Sequence, residues 1–174
     1  MKNTEIIEAM REKLSVPVGR HVYGVLGTYR QLETFAGKLH QAKTAEGSRF
    51  PKPVNVNKSL LEAIPDTEFR TLAQDEAKFP EPVCKHVSDA FENFLRAEFR
   101  KPDVLVLGNL EMLFAYRVDF SDLRALATDG SLVVLLLPGR RSGGRVILFH
   151  EAAECERILP TGLVAEEHLW EITE

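Results

Sequence analysis

The stretch VLVLGNLEMLF, residues 104–114, decides how this chain is read. Val104-Leu105-Val106-Leu107 is an unbroken apolar run, the pattern of a strand buried on both faces of a sheet. It stops on Gly108. In nucleotide-hydrolysing α/β proteins an acid directly after such a strand holds Mg²⁺. Here glycine stands in that place, and the first acid is Glu111. Glu111 is a candidate general base or hydrogen-bond partner, and its simplest reading is a locally bonded carboxylate. Asn109 is a candidate cap for the turn that follows.

The segments on either side repeat an alternation of strand and helix. Upstream, Val87, Ala90, Phe91, Phe94, Leu95 and Phe99 recur at helical spacing, which predicts a helix over 83–100, and Pro102 separates it from the strand. Downstream, Asp119 or Ser121 can cap a helix running through Ala127, and Asp129-Gly130 marks its end. SLVVLLL (131–137) is a second fully apolar strand. PGRRSGG (138–144) reads as a turn, and RVILFH (145–150) as a last strand paired with its predecessor.

At the N terminus, Ile6, Ile7, Met10 and Leu14 predict a first helix, ended by Pro17 and Gly19. RHVYGVLG (20–27) reads as a strand ending at Gly27. Leu32, Phe35, Ala36 and Leu39 form one face of a helix over 28–43. VNVN (54–57) reads as a short strand, and Leu60, Leu61 and Ile64 as a short helix or turn. Residues 66–82, polar and punctuated by prolines, read as a connection with one helical turn. Leu169 and Trp170, near the end, are expected to pack onto the body. The pattern as a whole predicts a single α/β domain of three layers: a mostly parallel sheet flanked by helices, with an antiparallel edge hairpin near the C terminus.

Composition sets the outer limits. The chain has 174 residues, 44% hydrophobic and 28% charged, with a formal net charge of −4. A chain of this length buries roughly 70% of its unfolded surface and needs no staple to fold. The acidic balance argues against non-specific nucleic-acid binding. Cys84 and Cys155 lie in no CxxC or Cys/His cluster, so they read as reduced thiols without a zinc role, and no metal or cofactor is expected. MKNTEIIEAMREKL is amphipathic and carries acids, unlike a leader peptide, and LVVLLLP is too short to span a bilayer. A cytoplasmic protein is expected.

Candidate chemistry falls in three places. A phosphate loop after the first strand would read G-x-x-x-x-G-K-[ST]. Gly27 is suitably placed, but TYRQLE follows it. Gly37-Lys38 comes later, with Leu32 where the first glycine of such a loop is needed. Gly27, Lys38, Gly108, Asn109 and Glu111 thus outline a vestigial nucleotide region. Among the histidines, His150 and His168 sit beside glutamates, but no pair has metal-ligand spacing, and HEAAE (150–154) has glutamate where a zincin keeps its second histidine. The third place is GRRSGGR (139–145). Arg140, Arg141 and Arg145 on a glycine-rich turn suit phosphate or an acidic partner surface, against the plainer reading of a solvated hairpin tip.

In the order of its segments the chain resembles BrxF-like small P-loop proteins of BREX phage-defence systems. The residues that carry the resemblance are VNVNKSLLEAI, GNLEMLF, VDFSDLRALA, LVVLLLPGRRSGG and RVILFHEAAECERIL, which together cover roughly Val54 to Leu159. The resemblance implies a P-loop-NTPase-like fold. Its two departures, the missing P-loop and Gly108 in place of the Walker B aspartate, imply that hydrolysis is lost. What remains is an accessory scaffold acting through protein–protein contacts. Its implied partners are a PglZ-type phosphatase-domain protein, a large ATPase or a DNA methyltransferase. Arg140, Arg141, Arg145, Leu169 and Trp170 are the contact candidates, because Trp and Arg are enriched at interface hot spots. Two alternatives stand beside this reading: a divergent nucleotide-binding protein or switch using Lys38, Glu111 and an arginine, and a nucleic-acid-binding accessory, which the net charge disfavours.

Overall fold

The computed structural model describes residues 1–16, 18–44, 47–99, 104–128, 130–151 and 156–173. Pro17, Pro102, Asp129 and Cys155, and with them part of HEAAE, lie outside the described residues. The elements run α1 (Asn3–Leu14), β1 (Val22–Gly27), α2 (Tyr29–Gln41), β2 (Val54–Asn55), α3 (Val56–Ala63), α4 (Asp66–Asp75) and α5 (Pro80–Glu98). They continue with β3 (Val104–Gly108), α6 (Glu111–Ala115), α7 (Ser121–Leu126), β4 (Leu132–Ser142), β5 (Arg145–Leu148), β6 (Arg157–Ile158), a 3₁₀ turn (Glu166–His168) and β7 (Leu169–Glu171).

The main sheet has the order β2-β3-β4-β1-β7, with every pair parallel. The two apolar strands read from the sequence, β3 and β4, are neighbours, and Leu105 lies opposite Val133. Alternate side chains feed opposite cores, as the pleat requires. Val22, Leu26, Leu105, Leu107, Val133 and Leu135 pack with Val56 and Leu60 of α3 and Val87, Phe91 and Leu95 of α5. Tyr23, Val25, Val106, Val134 and Leu136 pack with Ile6 and Met10 of α1 and Phe35 and Leu39 of α2. This is the three-layer arrangement the apolar runs predict: a strand without a polar face needs cover on both sides. No helix among the described residues is long and apolar enough to cross a membrane.

Three local readings change. Residues 66–82 are not a connection with one turn; they hold α4 and the start of α5. Pro65 is the N-cap of α4 and Pro80 the first residue of α5. At those positions a proline opens a helix, because the missing N–H has no intrahelical partner there. In VNVN only Val54 and Asn55 are extended. The Asn55 carboxamide oxygen accepts a hydrogen bond from the Lys58 N–H at 3.0 Å and starts α3.

The third change is in PGRRSGG, where Pro138–Ser142 belong to β4. The antiparallel hairpin turns only at Gly143 and Gly144, whose φ values are +55° and +74°. Positive φ at both central residues is what a tight type I′ turn needs, and glycine supplies it without strain. The hairpin grows from the C-terminal end of β4, and β6 pairs with the far side of β5.

Candidate functional site

β1 and β3 end, and β4 passes through Pro138, beside the start of α2, on the side where open α/β sheets bind ligands. A cleft of about 480 Å³ lies there, with Tyr29, Arg30 and Glu33 on its α2 side and Gly108, Asn109 and Pro138 on its sheet side. Gly108 and Asn109 line this cleft; Gly27, at the end of β1 on the other side of β4, is not among its lining residues.

The connection after β1 is a single residue. Gly27 ends the strand, Thr28 is the N-cap and α2 begins at Tyr29. The Gln31 N–H donates to Thr28 Oγ1 at 3.2 Å, and the Thr28 N–H donates to Gln31 Oε1 at 2.8 Å. This reciprocal capping box uses amides that a phosphate would need. Lys38 is exposed in the last turn of α2, about 14 Å further along the helix at 1.5 Å rise per residue, and so does not reach the strand ends. The T-x-x-Q signature of this cap is visible in the sequence, where it is obscured by reading TYRQLE only as a filled loop.

Glu111 is half-buried and held from two sides. Tyr29 Oη donates to one carboxylate oxygen at 2.9 Å, and Asn57 Nδ2 donates to the other at 2.7 Å. Asn57 in turn accepts from the Met112 N–H through its Oδ1 at 3.1 Å, and its own N–H donates to the Asn109 carbonyl at 3.0 Å. Asn109 sits at φ +54°, so it turns the chain and offers its backbone carbonyl. Glu111 therefore ties the start of α2, the start of α3 and the exit of β3 together. Tyr29 and Asn57 were not among the sequence candidates, because their separation from Glu111 along the chain hides the contact. Glu111→Ala is expected to destabilise the fold by about 2 kcal/mol, the scale for removing hydrogen bonds to a charged, half-exposed group. Urea denaturation checks this, and a loss under 0.5 kcal/mol would remove Glu111 from its structural role.

The proposed contact residues divide. Arg140 and Arg145 are exposed on the hairpin. Arg141 is engaged internally: it pairs with Glu166, donates from Nη2 to the Leu169 carbonyl at 2.9 Å and lies 3.9 Å from Glu171. It pins the hairpin to the C-terminal segment. Leu169 and Trp170 are 6% and 8% exposed, in a strand paired with β1. Trp170 stacks on Tyr23 at a centroid separation of 5.7 Å. These two side chains pack onto the body as expected and leave little surface to meet a partner, although β7 itself is the edge strand of the sheet.

Neither charge-tunable histidine enters the cleft. His168 packs on the Tyr23 ring at 4.6 Å, and its pKa is pushed down, first by burial and then by the Lys13 charge. Its neighbour His21 is buried, with Nδ1 3.0 Å from Tyr23 Oη. His150 follows β5. Among the described residues no three His, Cys, Asp or Glu side chains come together as a metal site, and Cys84 is a free, half-buried thiol.

No family model, no curated protein and no solved structure matches this chain.

Proposed function

We propose that this chain is a non-hydrolysing accessory protein that acts by binding other proteins, on a sheet whose nucleotide site is lost. One observation carries the reading: the one-residue, self-capped junction between β1 and α2 leaves no loop to wrap a phosphate. The engagement of Glu111 by Tyr29 and Asn57 supports it. The resemblance to BrxF-like proteins supplies the setting, anti-phage defence. Its candidate partners are a PglZ-type phosphatase-domain protein, a large ATPase or a methyltransferase.

Thermal unfolding tests the first half. A ligand present at a hundred times its Kd adds about 2.7 kcal/mol, roughly 5–10 °C in Tm for a chain of this size. No shift is expected with 5 mM Mg-ATP. Gly108→Asp is a stringent control. A Cβ at Gly108 meets only Leu136 Cδ1, at 3.7 Å, an ordinary contact, so a side chain can start there without a backbone clash. Without a phosphate cradle it too should leave Tm unchanged by Mg-ATP. A clear shift in the wild type would favour the divergent nucleotide switch, for which Arg30 is the one cation among the cleft-lining residues. Co-expression with each of the three partner classes tests the second half: one should co-elute with the chain in size exclusion, and failure of all three would remove the defence setting.

A further inference from the structure

We infer that the groove between α4 and α5 is a docking site for a basic amphipathic helix of a partner protein. This inference rests on the protein-binding reading and gives it a surface. The groove has a volume of about 210 Å³, and its walls are Leu61, Ile64, Phe69, Leu72, Val83 and Val87. None of the α4 side chains is buried, although Phe69, Leu72 and Ala73 turn toward the groove. Phe69 is 45% exposed, Leu61 44% and Phe79, the N-cap of α5, 60%. An apolar helix face left this open is unusual on a monomer and marks a contact site. Groove walls built from helices suit an apolar helical stripe, read as i, i+3, i+4 and i+7 anchors.

Charge selects the occupant. Between Lys58 and Asp89 acids outnumber bases seven to four. Two of the bases are paired close by in sequence, Lys58 with Glu62 and Lys85 with Asp89. That leaves Asp66, Glu68, Asp75, Glu76 and Glu81 against Arg70 and Lys78, with His86 Nδ1 3.9 Å from the Glu68 carboxylate. Glu76 is the one charged residue lining the groove itself, where its Oε1 accepts from Tyr116 Oη at 2.6 Å. A second copy of the chain would bring this acidic surplus against itself. A helix with leucines on one face and lysines or arginines on the other suits both the apolar groove and the acidic segment that carries it.

The test uses a fluorescein-labelled peptide of roughly 18 residues, long enough to be helical, with Leu at i, i+3, i+4 and i+7 and Lys elsewhere. Its scrambled isomer and a Leu/Glu counterpart serve as controls, and all are read by fluorescence anisotropy. The Leu/Lys peptide should bind with a Kd of tens of micromolar. Binding should weaken at least about tenfold for the scrambled peptide and for a Leu61→Ser, Phe69→Ser double variant, and vanish for the Leu/Glu peptide. Both replaced side chains are more than two-fifths exposed and neither is in the buried core, so the double variant should keep the wild-type circular dichroism spectrum; it also retains every acid, separating groove from bulk charge.

Equal binding by the double variant or by the scrambled peptide would overturn the inference, as would no binding at millimolar protein. Wild-type self-association in sedimentation that the double variant abolishes would also overturn it, by giving the groove to a second copy. Failure here leaves the Mg-ATP and co-elution results untouched, so the two readings fall separately.

Discussion

The Trp170→Ala variant is expected to lose about 4 kcal/mol of stability, the range for deleting a large aromatic from a packed core. Trp170 is 8% exposed and stacks on Tyr23, and its cluster includes Val25, Val134 and Ile172. A chain of this kind has about 5–15 kcal/mol in total, so the variant should be close to unfolding near body temperature. Chemical denaturation with circular dichroism measures the loss. A loss below 1 kcal/mol accompanied by failure to co-elute with a partner would return Trp170 to the surface. The same measurement on Arg140→Ala, an exposed hairpin position, should give a change within 0.5 kcal/mol.

Gly139→Ala is the second large effect, of about 3 kcal/mol. A Cβ at Gly139 would stand 2.5 Å from the Ile147 carbonyl oxygen and 3.1 Å from Leu148 Cα. These are backbone atoms of the paired strand, so no side-chain rotation relieves the overlap, and β4 and β5 must separate. Gly139 lies opposite Leu148, and the Phe149 N–H donates to the Pro138 carbonyl at 2.6 Å just beyond. The damage should spread to the anchoring of the C-terminal segment, since Arg141 joins the same hairpin to Glu166 and Glu171. Loss of amide-exchange protection across β5 and β7, with β3 still protected, is the expected signature. Wild-type protection throughout would show that the strands accommodate the methyl group. Gly24 differs: its nearest obstacle, Leu169 Cδ1 at 2.5 Å, is the end of a side chain that can move.

These two positions mark where the sequence is readable and where it is not. The unbroken runs in β3 and β4 announce strands covered on both faces, because nothing in them can face water. Helical spacing announces α1, α2 and most of α5 for the complementary reason: one stripe of each must be buried. The prolines at 65 and 80 mislead because the same residue stops a helix in its interior and starts one at its first turn. Trp170 carries two readings, packing onto the body and contact, because a lone aromatic near a chain end has the same local pattern whether it forms a contact surface or an edge strand. The pairing that settles the matter is with Val25, 145 residues away in the sequence.

The sequence by itself determined the α/β class, the buried strand at 104–107 and the absence of the usual phosphate-loop and Mg²⁺ signatures, because each depends on residues adjacent along the chain. Only the tertiary structure decided the partners of Glu111, the choice between core and contact surface for Leu169 and Trp170, and the open groove beside α4. Glu111 meets Tyr29 and Asn57, 82 and 54 residues away in sequence. Such contacts exist only after the sheet has closed, so no local pattern of charge or hydropathy announces them.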